Sequence, residues 1–129
     1  MEEWWPVMSK LRSYRDLEVW TKSIDLAERI YSVSKTFPPD ERFGLTSQIR
    51  RAAVSVPANI AEGAARTGTG EFLQFLSVAS GSLAEVETFL VLAQRLNLIP
   101  PEQFRMLEQQ AEEICRMLGG LKRSLQSRR

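Results

Sequence analysis

The chain has 129 residues, 43% of them apolar and 26% charged, with a formal net charge of +1. This is enough chain to bury roughly two-thirds of its unfolded surface around one core, and its bulk charge is not that of a polyanion binder. It has no histidine and a single cysteine, Cys115, which excludes a Ser-His-Asp triad, histidine-bearing metal sites, a thiolate cluster and an intramolecular disulfide.

A lone cysteine suits a reducing compartment, so a cytoplasmic location is expected. The opening "MEEWWPVMSKLRS" begins with acids and lacks the sustained apolar stretch of a secretory signal. No run approaches the roughly 18 to 20 consecutive apolar residues that span a bilayer, and no membrane partner is expected. The expected layout is an N-terminal extension over 1–13, one domain over 14–126 and a basic tail over 127–129.

Four segments repeat apolar or small residues at steps of three and four, the spacing of a helix that buries one stripe. In chain order the stripes are Leu17, Trp20, Ile24, Ala27, Tyr31 and Ser34; then Leu45, Ile49, Ala52, Val56, Ile60 and Gly63. The third runs Phe72, Leu76, Ala79, Leu83, Val86, Leu90 and Ala93, and the fourth Phe104, Leu107, Ala111, Ile114, Leu118, Leu121 and Leu125. "FPPDERFG" (37–44) stops the first helix with two prolines. "TGTG" (67–70) offers a glycine stop at Gly68 and a cap at Thr69 for a helix starting at Glu71. "NLIPP" (97–101) ends the third helix and puts Pro101 near the first turn of the fourth. Short connections predict an all-α, up-down-up-down antiparallel four-helix bundle. Trp4 and Trp5 are unneeded in a disordered tail and point to packing on the bundle or on a neighbouring chain. "KRSLQSRR" (122–129) is expected to fray.

"SVPANIAEGAAR" (55–66) is poor helix material inside the second stripe. Pro57 removes a helical donor from the carbonyl of Ala53, for which Ser55 is a possible local partner; the result is either a kink around the core or a binding notch. Gln48, Arg51, Ser55, Asn59, Glu62 and Arg66 lie on one helix face among small residues, with Gly63 beside them. In the third helix Gly81, with Ser77, Ala84 and Thr88, makes a small-residue stripe that would admit another helix. Ser82, Glu85 and Glu87 offer acceptors to Arg50, Arg51 and Arg66. A polar network between helices, an interface between protomers, or both, is expected there.

Catalytic chemistry finds little support. Glu62, Glu85 and Glu87 are carboxylates without a nucleophile–base pair or cofactor motif, and no cofactor is expected. "GAARTGTG" (63–70) has Thr69 where a phosphate loop needs lysine, and it ends a helix where a strand should precede it. Cys115, next to Ile114, reads as a packing residue.

The stretches "YRDLEVW" (14–20), "FPPDERFGLTSQIRRAAVSVPANIAEGAAR" (37–66) and "EFLQFLSVASGSLAEVET" (71–88) resemble the bacterial four-helix-bundle family named for 23S rRNA intervening sequences. The likeness runs over about residues 14 to 120. The NIAEG signature with a downstream GS-x-x-E is its most specific part. The resemblance implies a homopentameric ring with no catalytic activity. It also implies kinship with the accessory protein of diversity-generating retroelements, which works with a reverse transcriptase and binds nucleic acid. The matching positions are Gln48, Arg50, Arg51, Ser55, Asn59, Ile60, Ala61, Glu62, Gly63, Arg66, Gly81, Ser82 and Glu85.

Two functions remain open. One is an oligomeric scaffold contacting nucleic acid or a nucleic-acid enzyme. Residues 41–70 carry net +2, 105–129 net +3 and 71–104 net −3, and a ring would multiply the positive patches. Arg50, Arg51, Arg66, Lys122, Arg123, Arg128 and Arg129 are the candidate contacts, unless Glu62 and Glu85 occupy the first three. The other is a protein-interaction oligomer using exposed aromatics such as Trp4, Trp5 and Phe43.

Overall fold

The computed structural model describes residues 13–127; Trp4, Trp5, Arg128 and Arg129 lie outside that range. A 3-10 turn at Tyr14–Asp16 leads into α1 (Glu18–Ser34), a second 3-10 turn at Pro39–Glu41 into α2 (Leu45–Ala64), and α3 (Thr69–Arg95) and α4 (Pro101–Ser127) complete the chain. No strand occurs among the described residues. The fold is all-α, with four helices arranged as a bundle. Each helix packs on its chain neighbours and α1 also packs on α4, while the backbones of the diagonal pairs stay more than 8 Å apart.

Local chemistry sets most of the boundaries. Ser13 caps the first turn reciprocally: its hydroxyl accepts from the Arg15 amide at 3.1 Å, and its own amide donates to the Asp16 carboxylate at 3.3 Å. Glu41 does the same work for α2, accepting from the Leu45 amide at 3.1 Å. At the end of α3 Asn97 adopts a left-handed φ of 61°. That turn lets Leu98 donate to the Ala93 carbonyl at 2.9 Å, a Schellman closure followed by buried Ile99. The start of α3 differs from expectation. Thr69 is its first residue and is buried, and Gly68 is the N-cap with no side-chain bond, so the helix begins two residues before Glu71.

The second and third stripes are buried throughout, from Leu45 to Gly63 and from Phe72 to Ala93. Each large member adds about 1.5–3 kcal/mol of apolar burial. In α4 the core residues are Leu107, Ala111, Ile114, Leu118 and Leu125, with Phe104 and Leu121 partly buried. The expected fraying over 122–129 is not seen in its described part, 122–127, which is helical. α4 runs through Ser127 because Leu125 is fully buried and holds the last turns on the bundle.

The α1 stripe is rotated from the expected one. Ile24 and Tyr31 are 38% and 42% exposed, while Val19, Ser23, Leu26 and Ile30 face the core beside Ala27 and Ser34. Ser23 tolerates burial because its hydroxyl donates to the Trp20 carbonyl at 2.8 Å. A second difference concerns α3, which is long and apolar enough to cross a membrane by length and composition. One side of it is core. The other side is apolar for another reason, described below.

Candidate functional site

Four of the expected network residues come together between α2 and α3, the most extensively packed helix pair. The hydroxyls of Ser55 and Ser82 share a hydrogen bond of 2.8 Å. Asn59 donates its amide both to the Ser55 hydroxyl at 2.9 Å and to the Ser55 carbonyl at 2.8 Å. Ser55 therefore spends its hydroxyl across the interface and does not turn back toward Ala53. One turn on, Gly63 lets α3 approach. A Cβ at that position would stand 2.7 Å from the Phe75 Cβ and 3.0 Å from the Phe72 ring. Pro57 sits buried between these contacts.

The charged members do not join this seam. Gln48, Glu62 and Glu85 are exposed. Glu62 pairs with Arg66 on its own helix at 2.9 Å, and Arg66 also lies 4.9 Å from the centre of the Phe75 ring. Glu85 takes no arginine among the described residues. Arg50 reaches the other way, to α1: its Nε donates to the Ser34 hydroxyl at 2.7 Å and its Nη2 to the Tyr31 carbonyl at 3.3 Å. Its guanidinium covers the Tyr31 ring at 4.7 Å. Arg51 makes no ion pair or hydrogen bond with another described residue.

Arg50 and Arg51 instead border a shallow depression of about 450 Å³ at the start of α2, together with Tyr31, Arg42, Phe43 and Ser47. Phe43 is 87% exposed, and the Arg42 guanidinium lies 5.3 Å from its ring centre. A second depression, about 470 Å³, shares Phe43, Ser47 and Arg51 with the first and adds Gln48, Glu85 and Phe89. Arg42 and Tyr31 were not among the expected contacts; the adjacency of Arg42 and Phe43 in a turn was the available sign. Lys122 and Arg123 belong to α4, whose backbone stays more than 8 Å from that of α2, and Arg123 lies back along its own helix over Gly119. The basic candidates thus form separate groups.

The outward side of α3 carries little charge. From Gln74 to Leu92 its exposed positions are Gln74, Ser77, Val78, Gly81, Ala84, Glu85, Thr88, Val91 and Leu92, with Glu85 the one charge among them. At about 1.5 Å per residue this face is roughly 27 Å long. Nothing lies within 4 Å of a Cβ built on Gly81, so the expected small-residue stripe receives no helix from its own chain. An exposed valine or leucine alone is ordinary; several on one face interrupted by a single charge make a larger apolar patch than isolated residues do.

No catalytic constellation emerges. Among the described residues no group of three or more acidic or cysteine side chains is arranged to hold a metal. Cys115 is exposed on α4, contrary to its expected packing role. Between α1 and α4 a groove of about 530 Å³ carries both charge signs, with Asp25, Glu28 and Arg29 facing Met106 and Gln110. Glu87, partly buried on α3, is pushed above the usual carboxylate value of 4.5 by burial and then by Glu112 and Glu108 on α4. That acidic cluster was not apparent in the sequence, since its members come from two helices.

The model of the family described as 23S rRNA-intervening sequence protein matches residues 15–120. A crystal structure from Bacteroides thetaiotaomicron VPI-5482, of a protein with unknown function from the S23 ribosomal protein family, is also similar. It shares 27% identity and a TM-score of 0.75, covering 81% of this chain and 95% of that one. No curated protein matches.

Proposed function

We propose, given that this chain belongs to the 23S rRNA-intervening sequence protein family, that it acts as a non-enzymatic cytoplasmic scaffold. It assembles from copies of itself and contacts nucleic acid or a nucleic-acid enzyme. The observation that carries this reading is the outward face of α3. A face roughly 27 Å long with one exposed charge is costly in water and useful against another protein. Gly81 at its middle gives up about 1 kcal/mol of helix propensity. That loss has no return inside the chain, where the position is open, and a return only where a second backbone comes close. The homopentamer implied by the family resemblance is the assembly we assign to it.

Nucleic-acid contact is supported by arginines left outside the bundle's own pairings, Arg51 above all, which a ring would repeat around its circumference. A scaffold that binds only proteins is the competing reading, and the exposed Phe43 would serve it equally.

Sedimentation equilibrium and anisotropy test both halves. The expected particle is five times the 14.7 kDa chain mass. It should bind a mixed pool of structured RNA and duplex DNA with an affinity that falls steeply with salt. A monodisperse single chain removes the assembly. An assembled particle with no affinity at low salt removes the nucleic-acid role and leaves the protein scaffold.

A further inference from the structure

We propose that the paired depressions around Phe43 are a binding site for a single nucleic-acid strand, with a base stacked on Phe43 and its phosphates held by Arg42 and Arg51. This inference rests on the nucleic-acid half of the reading above and gives it a location and a ligand class.

The argument starts from what each side chain is free to do. Arg50 is committed to α1 through Ser34, the Tyr31 carbonyl and the Tyr31 ring, so it anchors the wall of the site. Arg51 has no partner among the described residues, and Arg42 touches only the neighbouring ring. Their guanidinium forks are therefore available, and planar forks match phosphate oxygens in a way that lysine ammonium groups do not. Neither guanidinium forms an ion pair with a described carboxylate; Glu85, which lines the second depression with Arg51, sets one negative charge at its rim.

Phe43 supplies the second element. Its ring is 87% exposed, and it lines both depressions along with Ser47 and Arg51. The first depression adds Arg42 and Arg50. The second adds Gln48 and Phe89, an amide and a further ring for a base, together with the carboxylate of Glu85.

A base presents its face to such a ring only when it is unstacked, which a strand permits and a duplex does not. An acidic peptide could satisfy the arginines but gives no specific role to an exposed ring shared by the two hollows. The sequence-independent combination of cations and an aromatic platform is the chemistry by which strands are bound without base-specific readout.

The test uses the full chain and a fluorescein-labelled 20-nucleotide oligouridine, with a duplex RNA of the same length for comparison. Anisotropy is measured across a salt series for the parent, Phe43→Ala, Phe43→Tyr and the Arg42→Gln/Arg51→Gln double variant. The strand is expected to bind more tightly than the duplex. Phe43→Ala weakens it roughly tenfold with the salt slope intact, and Phe43→Tyr restores binding. The double arginine variant lowers the slope by about 1.4. Circular dichroism and sedimentation of each variant establish that fold and mass are unchanged.

Strand binding that is equal in the parent, Phe43→Ala and the double variant overturns this site while leaving nucleic-acid contact elsewhere on the molecule. Displacement of the strand by polyglutamate as readily as by unlabelled strand also overturns it, in favour of an acidic peptide. No binding by the parent at low salt overturns both this site and the nucleic-acid half of the proposed function.

Discussion

Ser55 on α2 and Ser82 on α3 are joined by a 2.8 Å hydrogen bond, and Asn59 donates a second bond to the same Ser55 hydroxyl. Two small hydroxyls and one amide thus satisfy each other where the helices are most closely packed. Removing Ser82 alone leaves a buried seam short of a partner, at a cost of about 1 kcal/mol. The Ser55→Ala/Ser82→Ala double variant should cost less than the sum of the single changes, because each single change already breaks the shared bond. Asn59→Leu should cost more, about 2 kcal/mol, since it strips two donors at once. Urea unfolding at one fixed protomer concentration measures all four proteins on the same footing; strict additivity would show that Ser55 and Ser82 are not energetically coupled.

Two glycines should respond in opposite ways. Gly63→Ala forces a methyl to 2.7 Å from the Phe75 Cβ, and overpacking there costs about 1–3 kcal/mol despite the better helix propensity of alanine. Gly81→Leu meets open space within the chain, so helix content holds. Sedimentation should nevertheless show a smaller particle, because the leucine stands where a second copy must approach. Unchanged mass for Gly81→Leu would remove α3 from the assembly surface.

The pH dependence of Glu87 follows from its raised pKa, caused first by burial and then by Glu112 and Glu108. The neutral acid is the form the fold accepts. Its contribution to stability is complete below the unfolded-state pKa, near 4.5, and is lost as pH rises through the higher folded-state value, then stays flat. Glu87→Gln should remove that decline. Denaturation midpoints across the carboxylate range should therefore converge at low pH and separate above it, with the glutamine variant the more stable.

Arg50→Lys tests whether this arginine is a strut. Lysine keeps the charge but cannot bond Ser34 and the Tyr31 carbonyl together while covering the ring. A loss of about 1 kcal/mol in stability is expected, with strand affinity altered far less than by the Arg42→Gln/Arg51→Gln pair. Equal affinity losses in the two proteins would move Arg50 from the wall of the site into its contacts.

The buried stripes of α2 and α3 were legible residue by residue, because they are apolar or small at every core position, although α3 begins two residues earlier than its glycine and threonine suggested. That of α1 was not. A reader following apolarity chooses Ile24 and Tyr31 over Ser23, since nothing in the letters announces that Ser23 bonds the Trp20 carbonyl and can be buried. The candidate site was half visible for a similar reason. Ser55, Asn59, Gly63 and Ser82 are small or neutral and must go where the backbone puts them. Arg50 and Glu85 have long side chains whose direction depends on helix rotation; Arg50 turned to α1 and Glu85 takes no arginine among the described residues. Leu125 was already legible as the last member of the fourth stripe, yet the basic letters around it suggested fraying where its burial holds the turn in place.

The bare face of α3 also bears on the life of a newly made chain. A copy that has met no other shows Val78, Val91 and Leu92 to every chaperone and protease it encounters. On the proposed assembly, survival depends on how soon a sister copy arrives, so the lasting amount of protein should climb more steeply than its rate of synthesis, and a weakly expressed gene would leave little behind.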